Sequence, residues 1–426
     1  MDNTKERIVI IGGGFAGLNF AKHLDKKKFD ITLVDRNNYH SFPTLFYQVA
    51  SGGLDPGSIS FPFRREFRKK SMRGVRFHMG DVRQIDISGK KLLTGEHVIH
   101  YDKLVIAAGT TNNFFGNNGL LHSVYTMKST PEAIRLRNEI LDRLERAAAT
   151  KDLATRTRLL TFVVIGGGPS GVEVAGALGE MKRYIVPREY PEIRPEEVKI
   201  ILLEGSDRVL RTMSEGASRA ALKYLGSLLV DVRLGTLMKG YDGETVALDN
   251  GERIICDTVV WTAGVTATPF TTAGGELPLG PGGRIVTDEF NRVNGVNDIY
   301  AIGDISYHPS PEYPRGAPQL AQPAIQQAHT LARNLNAGEF TVPFHYKDKG
   351  SMATVGRNRA VTDLKHIHLY GFIAWVAWMS VHLLSLLGMR NKATVMVNWT
   401  WAYFTYGTSL RMLFYPTRYP HRKRWS

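Results

Sequence analysis

A chain of 426 residues, 43% hydrophobic and 22% charged, has room for two or three domains with substantial cores, and that balance excludes a disordered or multi-spanning protein. Its formal net charge of +14 suits an anionic membrane surface or the steering of anionic ligands; no helix-turn-helix, RRM or zinc-finger pattern argues for nucleic acid, and no metal site is expected. The single cysteine, Cys256, rules out a disulfide framework or a redox-active cysteine pair and fits a reducing compartment.

The first element is an apolar run, Ile8–Ile11, that enters Gly12-Gly13-Gly14-Phe15-Ala16-Gly17 and then a helix-forming stretch. The short polar Met1–Arg7 segment ahead of it is not expected to be a signal peptide. In a G-x-G-x-x-G turn the first glycine permits the tight turn, the second lets backbone approach a pyrophosphate, and the third lets helix pack on strand. The phosphates then meet the free N–H groups of a helix N-terminus. Ile31–Val34 ends in Asp35, 18 residues after Gly17, a spacing that suits a carboxylate accepting ribose hydroxyls. The basic run Arg64-Arg65-Glu66-Phe67-Arg68-Lys69-Lys70 is either a solvated face or an anion contact.

Lys103–Ile106 reads as a strand closing in Ala107-Ala108-Gly109-Thr110. The pattern then repeats. Phe162–Ile165 runs into Gly166-Gly167-Gly168-Pro169-Ser170-Gly171, and Val198–Leu203 ends in Glu204, 33 residues after Gly171. That gap is long, and the extra residues fall in Tyr184–Glu197, which reads as an insertion after the helix. Glu204 would repel a 2′-phosphate, so NADH is favoured over NADPH. Thr258–Trp261 with Thr262-Ala263-Gly264 mirrors Lys103–Gly109; Gly109 and Gly264 lie 97 and 98 residues beyond Gly12 and Gly166. One fold is used twice, and two bound dinucleotides imply electron transfer between them. Cys256, ahead of the second of these strands, is expected as a small buried hydrophobe. Asp298–Asp304 forms a further strand ending in Gly-Asp, and Gln319–Ala328 starts a helix that tolerates Pro323 in its first turn.

The tail changes character. Phe372–Met389 is an 18-residue stretch whose one ionisable residue is His382. As a helix it would extend ~27 Å, just short of a ~30 Å hydrocarbon core. Val395–Tyr415 is aromatic with scattered polar groups, and Arg418–Trp425 is a basic cluster. Helices lying in the headgroup boundary of an anionic leaflet suit this composition; true spans and a buried helical dimer interface are the alternatives.

With both fingerprints, the Ala-Ile-Gly-Asp strand and Ala321-Gln322-Pro323-Ala324-Ile325-Gln326 together, the chain resembles the type II NADH dehydrogenases, single-subunit NADH:quinone oxidoreductases that do not pump protons. The likeness runs from Ile8 into the tail. It implies an α/β protein of two Rossmann-type dinucleotide-binding domains, one inserted in the other, plus a C-terminal helical membrane-anchoring region. The domains implied are a discontinuous FAD-binding domain, 1–118 with 275–345, an NADH-binding domain, 119–274, and a membrane-associating region, 346–426.

By position, the resemblance assigns FAD to Gly12, Gly13, Gly14, Phe15, Ala16, Gly17, Asp35, Arg36, Val82, Ala108, Gly109, Thr110, Asp304, Ala321 and Gln322. It assigns NADH to Gly166, Gly168, Gly171, Glu173, Glu204, Ala263 and Gly264. Glu173, Gln322 and Gln326 would be catalytic, with Glu173 between nicotinamide, flavin and quinone, and the two glutamines lining the quinone tunnel. It further implies a homodimer held on the cytoplasmic face of the cell inner membrane as a peripheral, monotopic protein, with a membrane quinone as acceptor and an anionic phospholipid surface as partner.

These roles make physical sense. Glu173 follows Gly171 near a positive helix end, which lowers a carboxylate's pKa; charged, it could bond the nicotinamide amide or ribose, and protonated, it could pass a proton to reduced quinone. Gln322 and Gln326, four apart, share a helix face and could donate to a quinone carbonyl, or else bond a neighbouring segment. The Tyr184–Glu197 insertion and a tail longer and more aromatic than in many bacterial members depart from the family pattern. A soluble ferredoxin- or rubredoxin-type reductase is the competing enzyme, against which the apolar tail and the Ala-Gln-x-Ala-x-Gln segment argue. A nucleotide-sensing flavoprotein of the apoptosis-inducing-factor type is the competing non-metabolic reading.

Overall fold

The computed structural model describes residues 5–413 apart from 96, 118, 406, 408 and 409. The basic cluster Arg418–Trp425 lies outside the described residues, as does the end of the Val395–Tyr415 stretch.

The chain begins with β1 (Glu6–Ile11), α1 (Phe15–His23), β2 (Phe29–Asp35), the short helix α2 (Phe46–Ala50), β3 (Arg76–Met79), β4 (Val82–Asp86) and β5 (Lys103–Ile106). It crosses out through β6 (Thr110–Asn112) and the long helix α3 (Thr130–Ala149) into β7 (Thr161–Ile165), α4 (Pro169–Glu180), β8 (Lys199–Leu203), β9 (Asp231–Arg233) and β10 (Thr258–Trp261). It returns through β11 (Val265–Ala267) and β12 (Thr271–Ala273) to β13 (Ile299–Ala301) and α5 (Ala321–Ala337).

Two parallel sheets result. The first has the order β13-β5-β1-β2-β3, and the second β9-β8-β7-β10. Continuous apolar strands follow from burial on both faces. Ile8, Ile10, Ile31 and Leu33 pack under α1 and α5, while Val9, Ile11, Val34 and Ile106 fill the opposite face. In the second sheet Val163 and Ile165 face the cluster around Cys256, which is fully buried as expected; Phe162 and Val164 face α3 and α4.

The two crossings pair antiparallel, Thr110 opposite Ala267 and Asn112 opposite Val265. β12 then pairs with β4, Thr271 opposite Gln84. The chain is therefore back in the first unit before residue 271, so the expected boundary at 274 falls too late. The Tyr184–Glu197 expectation also shifts: α4 continues through a π turn, Met181–Ile185, into the short helix Val186–Glu189. Ile185, Val186, Tyr190 and Ile193 from this stretch are buried in the core, so the insertion is an integral part of the second unit.

The tail is not purely helical. It opens as an antiparallel sheet, β14 (Ser351–Thr354), β15 (Ala360–Asp363) and β16 (His368–Gly371). β14 runs on past α4 so closely that a Cβ on Gly176 would stand 3.1 Å from the Gly356 nitrogen. Two helices follow, α6 (Phe372–Ser385) and α7 (Met389–Thr405). The apolar stretch breaks at Leu386-Leu387-Gly388, where Gly388 takes φ 80°, so α6 covers about 21 Å at 1.5 Å per residue. Among the described residues no helix is long and apolar enough to cross a membrane. Ala374, Trp378 and Val395 turn inward onto the second unit's core, while Phe372, Ile373, Leu384, Met389, Val397, Trp401 and Phe404 are exposed.

Candidate functional site

Each fingerprint builds a cradle at the carboxyl end of its sheet. Gly12 holds φ 97°, and a Cβ there would stand 2.5 Å from the Ala107 carbonyl oxygen; at Gly17 it would collide with the Gly12 carbonyl. Gly14, which caps α1, has open space where a Cβ would project. The second cradle repeats this geometry: Gly166 at φ 103°, Gly171 against the Gly166 carbonyl, and Gly168 open at the start of α4. Turn, contact and opening fall where a pyrophosphate needs them.

The strand-end carboxylates brace these loops. Asp35 accepts from the N–H of Gly13 at Oδ2 and of Asn37 at Oδ1, both 2.7 Å. Glu204 accepts from the N–H of Gly167 at 2.5 Å through Oε2, and from the N–H and hydroxyl of Ser206 through Oε1. Four acceptor sites per carboxylate leave capacity for a ribose. Burial pushes Asp35 above the usual carboxylate range, against the two N–H bonds and exposed Arg36. Val82, at the half-buried start of β4, follows Gly80, whose N–H bonds the Asp35 carbonyl at 2.9 Å.

Ala108-Gly109-Thr110 and Asp304 complete the first cradle. Gly109 holds φ 65° beside open space. Burial raises the Asp304 carboxyl, opposed by the charges of Lys128 and Arg284 and by a bond with Thr110. Lys128 donates from Nζ to the Thr110 hydroxyl at 2.9 Å. Lys128, which directly precedes the Ser129 cap of α3, was not singled out in the sequence. Gly303 brings this strand end to the start of α1, since a Cβ on it would be 3.0 Å from that of Ala16. With open backbone at Gly14 and Gly109 and carboxylates at both ends, these residues fit FAD. The Ala263-Gly264 turn closes the second cradle, with Gly264 at φ 91° under the Phe115 ring.

Glu173 departs from expectation. It sits on α4 beyond the first turn, fully enclosed, and its carboxyl is pushed up to about 8 by burial. One partner opposes this, the Thr354 N–H at 3.5 Å from Oε1. Desolvation outweighs the helix dipole here, which acts over only the first turn. At neutral pH the side chain is mostly a neutral carboxylic acid and can donate as well as accept.

A polar chain leads away from it. The Thr354 hydroxyl lies 2.8 Å from that of Tyr47. Gln48 donates from Nε2 to the Tyr47 oxygen at 2.9 Å, and Trp399 on α7 donates from Nε1 to Gln48 Oε1 at 2.8 Å. Either hydroxyl can be the donor in the Tyr47–Thr354 bond. Burial and the nearby Glu173 keep that phenol protonated. Tyr47, Gln48 and Thr354 lay unmarked in apolar runs.

Gln322 and Gln326 share one face of α5, as expected, yet both face the segment before β14. Gln326 exchanges two bonds with the Lys347 backbone, Nε2 to O and N to Oε1, both 2.9 Å. Gln322 donates to the Gly350 carbonyl at 2.8 Å and accepts from the Lys349 N–H at 3.0 Å. Gln326 thus bonds a neighbouring segment, one of the two outcomes expected of it, and straps residues 346–350 onto the helix. Ala321 lies half-buried beside Gln322 in the first turn of α5. His382 turns inward, stacked on Trp378 at 4.0 Å with Nδ1 at the Trp378 carbonyl, and burial lowers it to about 4.

Comparison with known proteins agrees with this geometry. Residues 6–328 match the pyridine nucleotide-disulphide oxidoreductase family, and residues 348–406 match the NDH2 C-terminal domain. The type II NADH:quinone oxidoreductase NdhA of Mycobacterium tuberculosis is 36% identical over 414 residues, covering 93% of this chain and 86% of the relative. The chain belongs to the type II NADH:quinone oxidoreductases. Among solved structures, NDH2 of Plasmodium falciparum, determined with NADH, superposes with TM-score 0.87 at 21% identity, covering 96% of this chain and 100% of that one. The sulfide:quinone oxidoreductase of Aquifex aeolicus shares the fold at TM-score 0.69 and 16% identity, over 95% of this chain and 96% of its own. The lone, buried Cys256 separates the present member from chemistry that needs a cysteine pair.

Proposed function

We propose that this chain oxidises NADH and reduces a membrane quinone to quinol, with FAD as intermediary and without proton pumping. The observation that carries the reading is the pair of matched glycine cradles, braced by Asp35 and Glu204, in a chain that also exposes an apolar helical face. FAD, when bound, supplies the relay that accepts a hydride from NADH and passes two electrons to the quinone.

The protein's own residues supply position and charge. The backbone at Gly14 and Gly168 receives the two pyrophosphates, and Asp304 with Lys128 holds the ribityl side. Glu204 excludes a 2′-phosphate by repulsion. Glu173, neutral and enclosed, donates to the nicotinamide carboxamide or hands its proton toward the quinol, with Thr354 orienting it. Gln322 flanks the flavin end of α5; Gln326 acts indirectly, by holding the 346–350 strap. The units we propose are FAD-binding segments about residues 5–110 and 268–345, an NADH-binding unit between them, and a membrane-associating region from 346. The exposed faces of α6 and α7 dock on an anionic bilayer at its cytoplasmic face, and the protein works as a homodimer.

The test is NADH oxidation by the detergent-purified, FAD-loaded protein with and without a quinone. Quinone should stimulate turnover strongly, NADPH should be much the poorer donor, and Glu204→Ala should narrow that gap. Turnover indifferent to quinone would overturn the reading. Equal kcat/KM for both nucleotides would remove Glu204 from the ribose site.

A further inference from the structure

One contact between the first unit and the lipid-side helices is made by a single ring. Phe61 lies against Gly388, the turn between α6 and α7, so closely that a Cβ there would overlap it. Beside this contact Asn391 donates from Nδ2 to the Ser60 carbonyl at 3.1 Å, and Leu387, like Phe67, packs against the cluster that contains Phe63. Arg65 and Lys69 stand over the same Phe61 ring, at 5.6 and 5.2 Å from its centroid, and Arg64 stands 5.5 Å from that of Phe77. The basic run thus borders the helical turn.

Its charge is also largely unspent. Arg64, Arg65, Arg68, Lys69, Lys70 and Arg73 are all exposed. Among the described residues only Lys69 of these six forms an ion pair, with the buried carboxylate of Glu66. Arg390, exposed at the start of α7, adds another cation on the far side of Gly388. Interleaved with them at the same edge are Leu384 and Met389, 73% and 80% exposed. Water satisfies the cations but not these two side chains. A polyanion such as nucleic acid, or an acidic protein surface, offers no apolar phase beside its charges. A bilayer of anionic lipid offers both within one boundary layer.

We propose that residues 64–73 of the first unit form a headgroup shelf, so that the membrane anchor is composite. The apolar faces of α6 and α7 enter the boundary region, while Arg64, Arg65, Arg68, Lys70 and Arg73 lie against lipid phosphates, with Phe61 keying the shelf to the helical turn. This rests on the membrane-docking reading above and adds to it a charge selectivity carried outside the C-terminal region.

The experiment is co-sedimentation of the full-length, FAD-loaded protein with vesicles of phosphatidylcholine alone or mixed with phosphatidylglycerol, at low and high salt. The shelf variant Arg65→Gln, Arg68→Gln, Lys70→Gln is compared with an anchor variant, Trp401→Ser, Phe404→Ser, whose targets are 65% and 77% exposed. Each removed cation should weaken binding to the anionic vesicles about 5-fold, so the triple variant loses on the order of 100-fold at low salt. Its binding to neutral vesicles should match wild type, and high salt should erase wild type's preference. The anchor variant should lose both vesicle types. NADH oxidation with a water-soluble quinone should be unchanged in the shelf variant, which shows that it is folded. If the triple variant binds anionic vesicles as tightly as wild type, the shelf is refuted while membrane docking stands. If wild type binds neither vesicle type, both fall together.

Discussion

Replacing Glu173 by glutamine should stabilise the protein at high pH and leave it nearly unchanged at low pH. Burial moves the folded-state carboxyl from 4.5 to about 8, so between those values the folded chain holds a proton that the unfolded chain has lost. The unfolded state then binds fewer protons, and stability falls as pH rises. At 1.36 kcal/mol per pH unit the penalty is under about 1 kcal/mol at pH 5, about 3 at pH 7, and levels off near about 5 above pH 9. Glutamine has the same shape, keeps an oxygen for the Thr354 N–H and cannot ionise, so it escapes the penalty. Urea unfolding followed by far-UV ellipticity at pH 5, 7 and 9 reads the difference. The gap between variant and wild type should open with pH; two curves running parallel would mean that Glu173 is solvated in the folded protein, and the reasoning would fail.

Gln326→Ala removes two bonds to Lys347 and should loosen the 346–350 strap by about 1–3 kcal/mol. Faster amide exchange confined to that segment, with NADH-driven reduction of the bound flavin unaltered, is the expected pattern; unaltered exchange would show the amide is not holding the strap. Asp304→Ala removes the carboxylate shared by Lys128 and Arg284 and should weaken FAD retention on the order of tenfold or more. The flavin-to-protein ratio after gel filtration measures this, and full retention would remove Asp304 from the cofactor site.

The parts legible in the sequence are those that backbone geometry dictates locally. Gly12, Gly17, Gly166 and Gly171 each occupy a place where a side chain would strike backbone, and Asp35 and Glu204 stand at strand ends next to those turns. What was not legible depends on distant chain. The dipole rule for Glu173 reads one helix end, but its ionisation is set by enclosure under Thr354, 181 residues away. The face of Gln322 and Gln326 was readable from their spacing; their partners were not, because residues 346–350 carry no periodicity to announce where they lie. The apolar tail reads as one run because Gly388 breaks it by conformation while the hydrophobicity continues. Thr271–Ala273 looks like the end of the second unit, and its pairing with β4 is a long-range choice.

The chain of contacts from Trp399 through Gln48 and Tyr47 to Thr354 and Glu173 bears on how such a protein can be made water-soluble. Cutting the chain at residue 372 would strip Trp378, Val395 and Trp399 from the second unit's core and leave the Gln48 carbonyl without its indole donor. The amide would then be free to swing, and with it the phenol that fixes the Thr354 hydroxyl. A truncated protein gains solubility at the expense of the group that sets the environment of the central carboxylic acid. Redesign by surface exchange avoids this. Ile373, Leu384, Val397 and Phe404 point outward from the same helices, and polar replacements there leave the inward faces and the Trp399 indole in place.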